Sequence, residues 1–263
     1  MFRRNRLKSA LLTGTRCTGA WLFSGSPAAG EILGLQGFDA LVIDQEHSPH
    51  GPETTIAQMR AIAAAGPATI LVRVPDGESR TIKLALDSGA EGVLVPTVES
   101  AAEARAIVAA CRYPPDGRRG AHHTIGRAAD WGRSAVEYLR RYPAELLIVA
   151  MIESERGLNA AADIAGIEGV DMLFLGPLDL SASFGCMGDF ADARITGAVD
   201  HIARACGRHG KCAGAAAFPG FSAPRLFELG HGFVTVGSDV TFLQAGAAAS
   251  LREVEETACT PAK

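Results

Sequence analysis

The amino-acid sequence predicts a single α/β domain folded as a closed (β/α)8 barrel, also called a TIM barrel. The chain has 263 residues, of which 48% are hydrophobic and only 6% aromatic, which suits one sizeable aliphatic core. Short apolar segments alternate with Ala-rich segments of helical periodicity, and this alternation is typical of βα units around a parallel sheet. About eight repeats in about 250 residues match the size of such a barrel. An open, doubly wound sheet is the alternative.

Eight apolar segments have the length and composition of strands. They are residues 18–23, 40–43, 69–74, 92–95, 146–152, 172–175, 212–217 and 233–236. Between them we expect helices that include 53–65, 80–86, 101–111 and 195–209, and Gly89 follows the second of these as a stop signal. The domain is expected to span 1–263, with a helix end and a frayed tail from about Arg252.

One long stretch without clear periodicity runs from Tyr113 to Arg133. Loops of this length are uncommon in compact domains and are often functional. It follows a predicted helix rather than a strand, so it should begin on the face away from a barrel's active site. Its arginines fit either a solvated or subunit-contact surface or a contact with substrate, and we assign no catalytic role to them.

Composition narrows the class of function. Lys and Arg number 25 against 29 Asp and Glu, which gives a net charge of −4 and no basic patch of the kind that binds nucleic acid. The six cysteines form no C-x-x-C pair, so neither a zinc knuckle nor a disulfide framework is indicated. No apolar stretch has the length of a signal-peptide core or a membrane span. We expect a cytoplasmic protein that acts on small molecules.

Two acidic residues follow apolar strands and suggest a metal site. Glu153 ends one strand segment and Asp179 follows the next, 26 residues later, which is about one βα repeat. The carboxyl ends of barrel strands surround the active site, so these carboxylates should converge. Hard cations such as Mg²⁺ or Mn²⁺ prefer such oxygen ligands. The alternative is that each residue only caps the helix that follows it.

A polar cluster at residues 44–50 follows the second predicted strand and supplies a candidate base, His47. Histidine is suited to general acid–base catalysis near neutral pH. The alternative is that Asp44 and Glu46 only pair with arginines or cap a helix, which would leave His47 on the surface. Arg73 ends the third strand, where its guanidinium can hold a carboxylate or an oxyanion, although it could instead form a structural ion pair with Asp44 or Glu46.

These residues together predict aldol chemistry. A 2-oxo acid can chelate a divalent metal, and the metal then stabilises the enolate that forms when a base removes a proton from C3. The competing mechanism needs a lysine Schiff base in an apolar site at a strand end. None of the four lysines is well placed for it; they are Lys8, Lys83, Lys211 and Lys263.

The motifs of the chain, from about residue 7 to residue 248, resemble those of the HpcH/HpaI aldolase family. This family comprises metal-dependent pyruvate aldolases, such as hydroxy-ketoacid and 2-keto-3-deoxy-sugar-acid aldolases. The resemblance rests on Gly19-Ala20-Trp21, Phe38-Asp39, Ile43-Asp44-Gln45-Glu46-His47, Val72-Arg73-Val74-Pro75, Leu86-Asp87-Ser88-Gly89-Ala90, Tyr113-Pro114-Pro115, Arg119-Gly120, Ile152-Glu153, Gly176-Pro177-Leu178-Asp179-Leu180 and Val236-Gly237-Ser238-Asp239.

The resemblance implies a role for each site residue. Glu153 and Asp179 would bind a divalent metal (Mg²⁺, Mn²⁺ or Co²⁺), His47 would act as base through water, and Arg73 would stabilise the oxyanion. Asp87 would support His47. Because Asp87 lies at a helix end on the opposite face of the predicted barrel, that support would come by an unusual path or from a neighbouring subunit.

The resemblance also implies a carboxylate-binding segment and two departures from the family pattern. The backbone around Gly176, Leu178 and Asp179 would hold the carboxylate of pyruvate. Met151 stands where many members have Gln, and Leu178 replaces a small Ala or Ser, so both residues affect the expected substrate specificity. Family members are typically hexamers that exchange the last helix, which implies a homo-oligomer here.

The function predicted from all these features is reversible cleavage of a 4-hydroxy-2-oxo acid to pyruvate and an aldehyde, with a divalent metal as cofactor. Two alternatives remain at this point. One is a lyase acting on acyl-CoA thioesters, of the citrate lyase β type, which would need a CoA-binding extension or groove. The other is a barrel that binds an oxo acid without turning it over.

Overall fold

Eight parallel strands close into a barrel in the computed structural model, which describes the backbone of residues 3–258 and the side chains of residues 3–255. Each strand pairs with the next in the chain, and β8 pairs with β1. The predicted (β/α)8 barrel is therefore confirmed, and the open sheet is excluded. The strands are β1 (Cys17–Leu22), β2 (Ala40–Asp44), β3 (Thr69–Arg73), β4 (Gly92–Val95), β5 (Leu147–Ile152), β6 (Met172–Leu175), β7 (Cys212–Ala216) and β8 (Phe233–Ser238).

Helices surround the barrel, and the four that were predicted by their bounds are each found within two residues of those bounds. The helices are α1 (Arg6–Leu12), α2 (Pro27–Gly34), α3 (Pro52–Ala65), α4 (Ser79–Asp87), α5 (Ala101–Cys111), α6 (Ala135–Glu145), α7 (Glu155–Asn159), α8 (Ala161–Ala165), α9 (Pro177–Ser183), α10 (Ala193–Arg208), α11 (Ala223–Glu228) and α12 (Asp239–Ala258). The tail expected from Arg252 is helical to Ala258, and 259–263 lie outside the described residues. No described helix has the length and hydropathy needed to cross a membrane.

Large apolar side chains fill the interior of the barrel, and some of them pack directly against glycines of neighbouring strands. Phe174 and Met172 of β6 point inward, and a Cβ on Gly214 of β7 would lie only 2.8 Å from atoms of both. Likewise, a Cβ on Gly19 of β1 would lie 2.7 Å from the ring of Phe233. A large side chain that faces a glycine fills the space which a second side chain would need, so the narrow barrel is densely packed. The centre is therefore solid, and polar chemistry is confined to the ends of the strands.

The first helix closes the amino-terminal end of the barrel. Leu7 of α1 is 1% exposed and belongs to the interior apolar cluster. Its backbone N–H donates to Oγ1 of Thr69 at the start of β3, over 3.0 Å. The carboxyl ends of the strands are thus the end at which a pocket can be built.

The long segment before β5 is more ordered than the sequence suggested. Arg119, considered as part of a solvated or subunit-contact surface, is 1% exposed. Its Nη1 donates to the hydroxyl of Tyr138 over 3.0 Å, and its Cζ lies 4.6 Å from the ring centroid of Tyr113. Its Nη2 donates to Oδ1 of Asp87 over 2.6 Å. This arginine therefore ties the segment to the end of α4.

Candidate active site

Apart from Asp87, the polar residues predicted for the site stand at one end of the barrel. Asp44 and Arg73 are the last residues of β2 and β3, and they are neighbours in the register of these two strands. Glu153 comes directly after β5, and Asp179 lies in the first turn of α9, which follows β6. His47 is three residues beyond the end of β2. The topology thus brings to the carboxyl end the residues that the sequence predicted there.

Arg73 is held in place by two carboxylates. Its Nε donates to Oδ1 of the fully buried Asp44 over 2.5 Å, and its Nη1 lies 3.0 Å from Oε2 of Glu46. Asp44 also accepts backbone N–H bonds from Glu46 and His47, which fixes the loop after β2. The ion pair considered from the sequence therefore exists. It leaves Nη2 of Arg73 without a hydrogen-bond partner among the described residues, so this nitrogen is available to a ligand.

Glu153 is a buried acid whose surroundings do not neutralise it. Its side chain accepts a hydrogen bond on Oε2 from the backbone N–H of Thr97 over 2.9 Å, and the residue is only 5% exposed. Burial, helped by the negative charges of Glu46 and Asp179, raises the pKa of Glu153 from 4.5 to about 7, against the opposing effects of the Thr97 N–H and Arg73. A cation placed beside Glu153 would stabilise its ionised form.

Two features of the backbone shape the space around Glu153. Thr97 has a φ of 50°, a left-handed conformation that is rare for a β-branched residue, and its N–H donates to Glu153 in that conformation. Gly176 lies on the other side, where an added Cβ would be 2.5 Å from Oε1 of Glu153. Glycine is therefore required at 176 if the carboxylate is to keep its position.

The acidic residues fit a divalent metal ion. Glu46 also has a raised pKa, mainly through burial, with Arg73 and His47 lowering it and the charges of Asp44 and Asp179 raising it. Several carboxylates thus repel one another at one place, and a divalent cation relieves that repulsion. In residues 3–255, no three His, Cys, Asp or Glu side chains form a ready-made metal cage. A site with two carboxylate ligands leaves positions open for water and substrate, as hard cations prefer.

His47 is exposed at the rim of the site, and Asp87 does not reach it within one chain. Nε2 of His47 lies 3.6 Å from Oε2 of Glu46, and its side chain is 58% exposed. Asp87 is the last residue of α4, so it lies towards the amino-terminal end of the barrel, where Arg119 binds it. Any support of His47 by Asp87 therefore requires a second subunit.

A cavity of about 650 Å³ lies elsewhere in the chain. It opens near the amino-terminal end of the barrel and contains Arg3, Arg60 and Arg127 together with Glu91 and Glu145. Its lining includes none of the predicted site residues. The predicted site residues therefore lie at the strand ends, away from this cavity.

Comparison with known proteins decides the family. Residues 17–245 match the model of the HpcH/HpaI aldolase/citrate lyase family. The chain belongs to this family. A hydroxypyruvate/pyruvate aldolase of Deinococcus radiodurans is 38% identical over 98% of this chain and 93% of its own. A 5-keto-4-deoxy-D-glucarate aldolase of Shigella boydii is 38% identical over 90% of this chain and 91% of its own.

The fold comparison agrees with the sequence comparison. The crystal structure of an HpcH/HpaI aldolase/citrate lyase family protein from Burkholderia cenocepacia superposes with a TM-score of 0.91 at 36% identity, covering 95% of this chain and 99% of that one. The predicted family is confirmed. As a member of a family of aldolases and lyases, the chain is an enzyme of the lyase class.

Met151 and Leu178, the two residues that differ from the family pattern, differ in how deeply they are buried. Met151 is 2% exposed and belongs to the interior apolar cluster, so it forms part of the floor beneath the site. Leu178 is 48% exposed in the first turn of α9. Backbone N–H groups in a first helical turn have no partner within the helix. Leu178 thus presents both a backbone donor and an apolar side chain near Asp179.

Proposed function

We propose that the protein is a divalent-metal-dependent aldolase that reversibly cleaves a 4-hydroxy-2-oxo acid to pyruvate and an aldehyde. The observation that carries this proposal is the buried, unneutralised Glu153, in the same electrostatic environment as Asp179 and Arg73. The relatives named as hydroxypyruvate/pyruvate and keto-deoxy-glucarate aldolases support the same chemistry.

Glu153 and Asp179 are the metal ligands in this proposal, and Mg²⁺, Mn²⁺ or Co²⁺ are the candidate ions. A divalent ion held by these two carboxylates would supply Lewis-acid chemistry for the 2-oxo group of the substrate. Thr97 and Gly176 hold the carboxylate of Glu153 from its two sides. Pre-positioned ligands of this kind raise affinity because less ordering is needed on binding.

Arg73 binds the oxygen atoms of the substrate. Its Nε and Nη1 are engaged by Asp44 and Glu46, so Nη2 is the donor left for a carboxylate or a developing oxyanion. A donor fixed before the reaction stabilises developing charge without reorganisation. The backbone around Gly176, Leu178 and Asp179 completes the carboxylate-binding segment in this proposal.

His47 moves the proton, acting through a water molecule. In the cleavage direction it takes the proton of the C4 hydroxyl, the bond between C3 and C4 breaks, and its electron pair stays on C3 as the enolate. The aldehyde leaves, and the proton returns to C3 to give pyruvate, so atoms and charge balance. Asp87 supports His47 across a subunit boundary in this proposal, since its own chain pairs it with Arg119.

We also propose that the protein is a homo-oligomer, a hexamer that exchanges its last helix. The support lies in α12, which packs little against its own barrel. Phe242 is 36% exposed, Leu243 75%, Leu251 66% and Val254 64%. Exposed apolar side chains in such number mark a contact surface. Light scattering after gel filtration should give a mass of about six chains, and a monomer would contradict this proposal.

The proposed function is tested by pyruvate release from a panel of 4-hydroxy-2-oxo acids. EDTA-treated protein is assayed before and after addition of Mg²⁺, Mn²⁺ or Co²⁺, beside Glu153→Ala and the surface control Glu31→Gln. We expect release only with metal, lost in Glu153→Ala and kept in Glu31→Gln. No release with any metal from folded protein would favour a thioester lyase or a barrel that only binds an oxo acid.

A further inference from the structure

The guanidinium of Arg73 rests on an aromatic surface in addition to its two carboxylates. Its Cζ lies 4.7 Å from the ring centroid of Trp21 and 6.0 Å from that of Phe23. Trp21 is 7% exposed, so this contact is largely removed from water. A cation over a buried indole face is among the stronger cation–π arrangements.

The indole of Trp21 is itself fixed from several directions. Its Nε1–H donates to Oγ1 of Thr235 on β8 over 2.8 Å. The ring of Phe23 stacks on it with 5.7 Å between centroids and an interplanar angle of 11°, and the ring of Phe174 meets its edge at 6.0 Å. Phe23 is tied by its backbone N–H to Asp239 over 2.9 Å. The surface beneath Arg73 is therefore rigid.

We propose that Trp21 is a positioning residue for Arg73, an inference that rests on the proposed function of Arg73 in binding the oxo acid. Asp44 accepts a hydrogen bond from Nε and Glu46 attracts Nη1 as an ion pair, but neither contact by itself prevents the plane of the guanidinium from tilting. The indole lies beneath Cζ of Arg73, and in this proposal it keeps the guanidinium plane in place. Nη2 is then presented to the substrate in one orientation, which reduces the ordering that binding requires.

A simpler role for Trp21 is to fill the top of the barrel interior. The two roles differ in what they predict for Arg73. If Trp21 only fills space, its replacement weakens the enzyme equally whatever stands at position 73. If it orients the guanidinium, its effect depends on the presence of that group, and the two substitutions are not additive.

Kinetics of a double-mutant cycle measure that dependence. Trp21→Leu should lower kcat/KM for the oxo acid about tenfold when Arg73 is present, and about twofold or less in Arg73→Lys, which lacks the planar fork. Trp21→Phe keeps an aromatic face and should retain most activity. Thr235→Val removes only the partner of the indole N–H and should give a smaller loss with the same dependence on Arg73. Equal losses in both backgrounds would overturn the proposal.

A fluorescence measurement tests the contact without activity. The chain has two tryptophans, so in Trp131→Phe only Trp21 emits. In that background, Arg73→Lys should change the emission of Trp21, whereas the matched control Arg225→Lys, on the exposed α11, should not. An emission that responds to neither substitution would overturn the proposal. If the emission of Trp21 changes but the protein has no aldolase activity, the contact between Trp21 and Arg73 is supported and the proposed function is refuted.

Discussion

Replacing Glu153 by Gln should stabilise the metal-free protein while it destroys the metal site. Burial raises the pKa of Glu153 from 4.5 to about 7 in the folded chain. The folded state therefore holds a proton that the unfolded chain releases as the pH rises above 4.5. The contribution of Glu153 to the free energy of unfolding therefore falls as the pH rises from 4.5 to 7. Above pH 7 this contribution is fully lost. Gln is neutral at every pH, and its Oε1 can still accept the N–H of Thr97.

The expected gain in the free energy of unfolding can be calculated from the shift in the pKa of Glu153. Each pKa unit corresponds to about 1.4 kcal/mol, so the ionised carboxylate costs of order 3 kcal/mol at pH 8. Allowing about 1 kcal/mol for the cost of burying an amide, we expect Glu153→Gln to raise the free energy of unfolding by about 2 kcal/mol at pH 8 and to lower it by up to about 1 kcal/mol at pH 4.5.

Urea unfolding of EDTA-treated wild type and variant at both pH values measures this difference, with Glu31→Gln on the exposed face of α2 as the control. Addition of Mn²⁺ should stabilise the wild type and leave Glu153→Gln unchanged, because a ligand that binds only the folded state stabilises it. If Glu153→Gln is no more stable than wild type at pH 8, or if its gain is the same at pH 4.5, the account of Glu153 as a buried, unneutralised carboxylate is wrong.

Three further predictions concern other positions. Gly176→Ala places a Cβ 2.5 Å from Oε1 of Glu153 and should weaken Mn²⁺ binding at least tenfold by calorimetry; unchanged affinity would show that the carboxylate is free to move. Gly197→Ala, in the interior of α10 where an added Cβ meets nothing within 4 Å, should instead stabilise the protein by about 0.5 to 1 kcal/mol without affecting metal binding; a lower urea midpoint would contradict this. The pKa of His231 is lowered from 6.5, chiefly by burial. As the pH drops below 6.5, His231 is therefore protonated in the unfolded chain but stays neutral in the folded one, and the free energy of unfolding falls. His231→Gln should reduce this loss between pH 7.5 and 5.5, and an identical pH dependence in the variant would refute the assignment.

The barrel and the positions of the site residues could be predicted because both follow from local pattern. Apolar runs mark strands that are buried on both faces, and a polar residue at the end of such a run must emerge at the carboxyl end of the barrel. Asp44, Arg73 and Glu153 are all of this kind. Their positions relative to the apolar runs are therefore enough to place all three at the same end.

Features that depend on contacts between distant segments could not be predicted in this way. The left-handed turn at Thr97 carries no glycine to signal it, and the contact between Trp21 and Thr235 spans 214 positions. Arg119 lies in a polar stretch that resembles a solvated loop, and only the fold brings Tyr113 and Tyr138 around it. Leu7 follows a segment rich in arginine, and nothing in that segment indicates that the first helix closes the barrel.

The central claim is that this end of the barrel generates a pyruvate enolate, and proton exchange tests it without knowledge of the aldehyde. Pyruvate is incubated in D₂O with the protein and Mg²⁺, and the methyl signal at C3 is followed by proton NMR. We predict that the signal is lost with time, that EDTA prevents the loss, and that Glu153→Gln and His47→Ala abolish it. A methyl signal that persists with folded, Mg²⁺-supplied wild-type protein would contradict the account.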